Sequence, residues 1–161
     1  MKNSIYLCDL SHHSFGRFYN ADVIPWGIGC IAAYIAAYNI KHSFGVRLFR
    51  YPHKLSEALQ QDMPLLVGFT NYMWNLDLSY SYAKYIKSLS PGTVVVFGGP
   101  NFPVDMNEQQ KLLSRYPCID FYVEGEGEVA FFELLESLVA MDFSVEEIIS
   151  DDDKVLHQGY M

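Results

Sequence analysis

The stretch TVVVFGGPN, residues 93–101, decides the fold. Three consecutive valines, between a threonine and a phenylalanine, strongly favour a pleated strand. The run lacks polar alternation, which indicates a strand buried on both faces of a parallel sheet. The GGPN that follows is typical of a tight turn, or of a close approach by another backbone or a ligand. The fold is therefore expected to be built around a central strand with an unusual loop at its carboxyl end.

Apolar runs predict four further strands, and helical periodicity predicts five helices that alternate with the strands. This alternation predicts an α/β fold, a three-layer doubly wound parallel sheet of about five strands. It is Rossmann-like or flavodoxin-like, with strand order 2-1-3-4-5. The further strands are expected at residues 4–9, 45–51, 65–70 and 119–123, and the helices at 26–39, 54–61, 76–88, 105–115 and 126–141.

The predicted domain comprises residues 1–141. Residues 142–161 are expected to form an acidic C-terminal tail, or the start of a linker to a missing catalytic domain. A weak strand-like stretch lies around residues 155–158 of this tail.

Composition excludes several classes of protein. Half of the 161 residues are apolar and 19% are charged, so the chain is not intrinsically disordered. Eleven basic against 19 acidic residues give a net charge of −8, which argues against binding to nucleic acid or to an anionic membrane surface. The three cysteines, at positions 8, 30 and 118, form neither a disulfide framework nor a close metal-ligand pair. No apolar run is long enough for a signal peptide or a membrane span, so a cytoplasmic location is expected.

Four of the five loops at the carboxyl ends of the strands are rich in glycine, amide, hydroxyl and aromatic groups. In doubly wound sheets ligands bind at this edge, where the strand order reverses. The composition suits a large planar ligand with amide edges better than a phosphate-rich one. Taken singly, Asn75 is equally typical of a helix cap, and Tyr72 and Trp74 of core packing. The candidate residues are Leu10, Ser11, His12, Thr70, Asn71, Tyr72, Trp74, Asn75, Gly98, Gly99, Pro100, Asn101, Glu124, Gly125 and Glu126.

Other motifs are weaker. Residues 27–32 and 125–130 both match the dinucleotide-binding pattern G-x-G-x-x-A. The first match lies about 17 residues beyond its strand, and the second is flanked by three glutamates. Both facts argue against a dinucleotide-binding site. A phosphorelay receiver would need an acid at Thr70 and a lysine at Glu124. The adjacent histidines 12 and 13 do not have metal-ligand spacing. No nucleophile–base pair stands out, so we assign no catalytic residue and expect this chain alone not to be catalytic.

Four segments considered together resemble the N-terminal cobalamin (B12)-binding domain of B12-dependent radical SAM enzymes: PWGIGCIAAY (25–34), VGFTN (67–71), VFGGPN (96–101) and DFYVEGEGE (120–128). The resemblance covers about residues 4–140. It implies a corrin ring lying across the carboxyl ends of the strands and a nucleotide tail tucked into the fold. It also adds Trp26 and Gly27 to the implied cofactor-binding residues.

The resemblance implies a role for each loop. Asn71, Asn75 and Asn101 would hydrogen-bond corrin amides. Tyr72, Trp74 and Phe102 would pack on the faces or rim of the ring, and Gly98 and Gly99 would admit the tail or the ring edge. The cofactor would then act as a methyl donor, because methylcobalamin carries the methyl group on cobalt.

Two family motifs are absent. The D-x-H-x-x-G motif of other B12 domains is missing, which leaves His12 as the candidate lower ligand of cobalt. The C-x-x-x-C-x-x-C motif is also missing, so S-adenosylmethionine and the 4Fe-4S cluster would belong to a radical SAM catalytic domain in a longer chain or in trans. Two alternatives remain open: a flavodoxin-like module for a flavin or another small ligand, and a degenerate interaction domain.

Overall fold

A computed structural model describes residues 4–14, 17–18, 24–38, 44–145 and 154–157. Strands and helices alternate along most of the chain. The strands are β1 (Ser4–Cys8), β2 (His13–Ser14), β3 (Arg17–Phe18), β4 (Gly45–Phe49), β5 (Leu66–Thr70), β6 (Val94–Gly98), β7 (Phe121–Glu124) and β8 (Val155–His157). The helices are α1 (Trp26–Tyr38), α2 (Pro52–Gln61), α3 (Leu76–Leu89), α4 (Met106–Arg115) and α5 (Gly127–Ala140).

Six strands form one parallel sheet with the order β4-β1-β5-β6-β7-β8. The α/β doubly wound class is therefore confirmed, and the five predicted strands have the expected order 2-1-3-4-5. The strand count is corrected from five to six. The sixth strand is the weak stretch in the predicted tail, because Val155 pairs with Tyr122 and the Tyr122 N–H donates to Lys154 O at 2.7 Å. The domain boundary at residue 141 stays a prediction.

Two apolar layers cover the sheet, one on each face. One face packs against α2, α3 and α4 through residues such as Leu55, Ile86 and Leu113. The other packs against α1 and α5 through residues such as Ile35 and Leu134. Strand residues alternate between the two layers, so the apolar runs are buried on both sides, as parallel strands require.

The strand order reverses at β1, which has β4 on one side and β5 on the other. The loops after β1, β5, β6 and β7 therefore meet at one edge of the sheet. In the first of these loops, β2 and β3 form a short antiparallel pair. Among the described residues, no helix combines the length and apolarity needed to cross a bilayer.

Candidate functional site

A cavity of about 710 Å³ opens at this carboxyl edge, on the face of the sheet that α1 and α5 cover. Leu7, Gly68, Val96 and Val123 contribute the sheet side, one from each of four neighbouring strands. The first turns of α1 and α5 contribute the opposite wall. A concave, mostly apolar space of this size at the reversal point of a doubly wound sheet is the expected form of a small-molecule site.

Two glycines at the cavity wall let neighbouring side chains approach closely. A Cβ at Gly68 would lie 3.0 Å from Leu7 Cδ2 and 3.2 Å from Phe131 Cε2. A Cβ at Gly127 would lie 3.2 Å from Ile31 Cδ1. Glycine inside a strand weakens the strand unless another group needs to approach closely. Gly68, in the central strand β5, is therefore explained by the close approach of Leu7 and Phe131, two of the side chains that line the cavity.

Polar and apolar side chains are separated within the cavity. Leu7, Ile28, Ile31, Val96 and Phe131 line its interior. The polar side chains belong to the last residues of strands, to the loops beyond them or to the first turn of α5: Thr70, Tyr72, Glu124, Glu126 and Glu128. The cavity therefore combines an apolar interior with a mouth that offers mainly carboxylate acceptors.

Asn71 locks together the loops that follow β5 and β6. Its side chain is fully buried, and Nδ2 donates to Asn101 O at 2.8 Å and to Tyr122 Oη at 3.0 Å. The Asn101 Nδ2 returns a bond to Asn71 Oδ1 at 3.0 Å. Gly99 has φ +126°, and a Cβ there would lie 2.8 Å from Asn71 O. Glycine is required at position 99 because the two backbones touch and the conformation disfavours L side chains.

A second network orders the edge between β1 and β5. Asn75 Oδ1 accepts the Tyr72 N–H at 2.8 Å, and Asn75 Nδ2 donates to Thr70 Oγ1 at 3.0 Å. The Thr70 hydroxyl in turn donates to Asp9 Oδ1 at 2.7 Å. Arg50 Nη1 lies 3.9 Å from Asp9 Oδ2, which makes an ion pair but not a short hydrogen bond. The loop after β5 is thus preorganised by its own side chains.

Tyr122 lies beneath both locked loops. Its hydroxyl donates to Gly99 O at 2.9 Å, and its ring stacks on Phe102 at a centroid distance of 3.7 Å. Burial raises the pKa of Tyr122 far above the usual tyrosine value, and the Asn71 amide that donates to the phenol opposes this shift only in part. Tyr122 therefore remains a protonated donor throughout the ordinary pH range.

The raised pKa of Tyr122 predicts a loss of stability in alkali. Above about pH 10 the unfolded tyrosine loses its proton while the folded one keeps it, so the free energy of unfolding falls as pH rises. One such group contributes a slope of up to about 1.4 kcal/mol per pH unit. We expect Tyr122→Phe to be less stable at neutral pH and to show a shallower alkaline slope in denaturant unfolding. Tyr85→Phe, on the exposed part of α3, is the matched control, and an unchanged slope in Tyr122→Phe would contradict the assignment.

The structure brings many of the predicted residues to the cavity. Those lining it are Gly27, Thr70, Tyr72, Gly98, Gly99, Pro100, Glu124, Gly125 and Glu126. The others are outside its described lining: Leu10 and Ser11 are buried, His12 and Trp26 are exposed, and Trp74 stacks on Tyr72 with centroids 4.6 Å apart. Contact of these residues with a cofactor stays a prediction.

The expectation that Asn71 and Asn75 hydrogen-bond corrin amides stays a prediction. Both are fully buried, and their amides form hydrogen bonds within the loops. Asn101 also uses its amide within the loops, because its Nδ2 donates to Asn71.

Sequence reasoning missed the apolar interior of the cavity. Leu7, Ile28, Ile31 and Val96 lie within elements that were assigned only to the core. The available signal was Gly68, a glycine inside an otherwise apolar strand.

The described ranges contain no group of three or more His, Cys, Asp or Glu side chains that could hold a metal ion. His12 is described and exposed, so a role as the lower cobalt ligand would need the cofactor itself to supply the other ligands.

Comparison with known proteins identifies the family. The chain is 38% identical over 72 residues to the 2-(S-pantetheinyl)-carbapenam-3-carboxylate methyltransferase of Streptantibioticus cattleyicolor. It is 36% identical over 72 residues to the cobalamin-dependent radical SAM methyltransferase TokK of Streptomyces tokunonensis. Each match covers 45% of this chain but only 10% of the relative. An uncharacterized methyltransferase of Pyrococcus horikoshii is 31% identical over 84 residues, which are 52% of this chain and 18% of that protein.

The family model for the B12 binding domain matches residues 17–135, well over half of the chain. The matched range contains α1, four of the parallel strands and nearly all of the cavity lining. The chain belongs to the B12-binding domain family.

Proposed function

We propose that this chain is the cobalamin-holding module of a radical SAM enzyme of the methyltransferase type. The observation that carries the proposal is the apolar cavity at the strand reversal, floored by Gly68 and bordered by two locked loops. Family membership identifies cobalamin as the ligand, and the cavity at the strand reversal supports this position for it. When bound, cobalamin supplies a cobalt-held methyl group for transfer.

The cavity fits one part of cobalamin. The corrin ring carries amide side chains around its rim. Burying those amides among Ile28, Ile31 and Val96 without partners would be costly. The aromatic base at the end of the nucleotide tail is flat and apolar, so it is the part that suits this interior. The corrin would then lie across the mouth, where Glu124 and Glu126 offer acceptors to amide N–H groups.

Exposed apolar side chains surround the mouth. Met73 is 82% and Val104 is 90% exposed, and both lie in loops at the carboxyl edge. Large apolar side chains grouped on a surface mark a site that another molecule covers. We propose that the corrin covers part of this surface and a radical SAM catalytic domain covers the rest. The group comprises Ile24, Trp26, Met73, Trp74, Val104 and Met106.

The longer relatives support this partner, because the matched segment is only a small part of each of them. S-adenosylmethionine and the 4Fe-4S cluster would be held there, since the three cysteines of this chain are scattered and free. Free cysteines also fit the reducing cytoplasm that we propose as the location.

A degenerate interaction domain is the second candidate, and the same exposed aromatics favour it. A partner protein alone could cover Trp26, Met73 and Trp74. The two candidates differ in whether the cavity of about 710 Å³ takes up a cofactor.

Cofactor uptake is the direct test of the proposed function. The purified chain is mixed with hydroxocobalamin or with flavin mononucleotide, desalted, and measured by visible absorbance. We expect retained cobalamin at about one equivalent and no retained flavin, because the glutamates at the mouth repel the dianionic terminal phosphate of the flavin more strongly than the singly charged phosphodiester of cobalamin. If His12→Ala changes the visible spectrum of the bound cobalamin, His12 is the lower ligand of cobalt. Retention of neither compound, by the chain alone or with its catalytic domain, would contradict the proposal and favour an interaction domain.

A further inference from the structure

We propose that this cavity selects among cobamides by their lower base, accepting benzimidazole and phenolic bases and disfavouring adenine. The inference rests on the proposed function and deepens it, because it concerns which form of the cofactor the same site takes. It is carried by the separation of apolar and polar groups within the cavity.

The interior offers no polar side chain to an inserted base. On the sheet side it is formed by Leu7, Gly68, Val96 and Val123, and on the helix side by residues such as Ile31 and Phe131. These are hydrocarbon surfaces or a bare glycine. A flat apolar ring gains contacts there and loses no hydrogen bonds other than those to water.

The strand backbones beneath the base are also occupied. β5 pairs with both β1 and β6, and β6 pairs with both β5 and β7. Their N–H and C=O groups are therefore used in the ladders of the sheet. A base that lies on Gly68 and Val96 finds few free backbone donors or acceptors.

The polar side chains of the cavity lie where the sugar, phosphate and corrin amides would pass. Glu124 and Glu126 follow the end of β7, and Glu128 is in the first turn of α5. Thr70 is at the end of β5, and its hydroxyl already donates to Asp9 at 2.7 Å. These groups are at the mouth, so the interior offers no side-chain partner to a polar base.

Adenine carries an exocyclic amine and ring nitrogens that form hydrogen bonds to water in solution. Inside this cavity those groups would lose water without gaining side-chain partners, which lowers affinity by roughly ten- to a hundredfold. Dimethylbenzimidazole and cresol place only hydrocarbon at the corresponding positions. The cavity is therefore expected to distinguish bases by polarity more than by size.

The test is equilibrium dialysis of the chain against four cobamides, quantified by visible absorbance. We expect cobalamin and cresolylcobamide to bind, adeninylcobamide to bind at least about tenfold more weakly, and cobinamide, which lacks the nucleotide, to be the weakest. Equal affinity for adeninylcobamide would overturn the inference while leaving the proposed function intact. Equal affinity for cobinamide would show that no base enters the cavity. Failure of all four to bind would overturn the proposed function as well.

A matched pair of variants tests whether the selectivity for the lower base arises in this cavity. Val96→Thr places a hydroxyl inside the cavity, whereas Val95→Thr places one in the opposite layer of the same strand. Both positions are buried, so the two variants should lose comparable stability in thermal unfolding. We expect Val96→Thr to narrow the ratio of cresolylcobamide to adeninylcobamide affinity severalfold and Val95→Thr to leave it unchanged. An equal change in both variants would contradict the assignment to this cavity; the four-cobamide comparison on the unmodified chain does not depend on either variant folding.

Discussion

Replacing Gly68 with leucine is expected to weaken cobalamin retention by at least about a hundredfold. A Cβ at this position would lie 3.0 Å from Leu7 Cδ2 and 3.2 Å from Phe131 Cε2, so these two buried side chains must give way by a few tenths of an ångström. The rest of a leucine side chain then extends into the cavity. The base of the nucleotide tail and the new side chain would then compete for the same space. Retention after desalting, and affinity by equilibrium dialysis, measure the effect.

Two further variants make this result interpretable. Gly68→Ala adds only the first carbon and is expected to have a smaller effect on retention, with a small loss of stability from overpacking. Gly92→Leu makes the same large change in the turn before β6, where a Cβ would meet nothing within 4 Å. We expect Gly92→Leu to retain cobalamin. If Gly68→Leu remains folded by circular dichroism and still retains cobalamin, the cavity is not the tail site.

The sheet was largely predictable because parallel strands buried on both faces leave a strong pattern. Runs such as the three valines of β6 contain no polar alternation, and helices separate them. The sixth strand was recognised only as strand-like because β8 has three residues. So short a segment is fixed by its neighbour β7, whose edge it extends, rather than by its own propensity.

The position of the site was predictable, but the roles of its residues were not. Polar residues that follow strands are typical of ligand binding and of loop-locking hydrogen bonds alike. Only the three-dimensional arrangement shows that Asn71 and Asn75 face inward, fully buried and bonded within the loops. Gly99 was predicted to admit the cofactor, which stays a prediction; the structure shows that it admits the backbone of Asn71, with a Cβ position 2.8 Å from Asn71 O.

The loops and the apolar interior have separate tasks in this arrangement. The interior formed by Gly68 and its neighbours determines which group can enter. The loops determine whether the mouth keeps its shape before the cofactor arrives. A preorganised mouth avoids the entropy cost of ordering two loops on binding. Damage to the loops should therefore lower both stability and affinity, whereas filling the interior should lower affinity with a smaller effect on stability.

Asn71→Ala tests the side-chain hydrogen bonds that connect the loops after β5 and β6. We expect it to lower the free energy of unfolding by about 2–4 kcal/mol. The substitution removes three side-chain hydrogen bonds, two to Asn101 and one to Tyr122. It leaves the Asn101 amide and carbonyl without these partners in a part-buried position, and such groups cost free energy when water cannot reach them. Denaturant unfolding measures the change. Asn107→Ala, in the exposed first turn of α4, is the matched control and should cost much less.

The same variant should also bind cobalamin more weakly, because the loops after β5 and β6 lose the side-chain hydrogen bonds between them. A double-mutant cycle with Tyr122→Phe separates the two partners of Asn71. If the Asn71–Tyr122 bond at 3.0 Å contributes to stability, the two substitutions will cost less together than the sum of their separate costs. Strictly additive costs would show that the Asn71 side chain stabilises the loops through its bonds to Asn101 alone. A variant with full stability and weakened binding would instead place the Asn71 amide in direct contact with the cofactor, as the sequence first predicted.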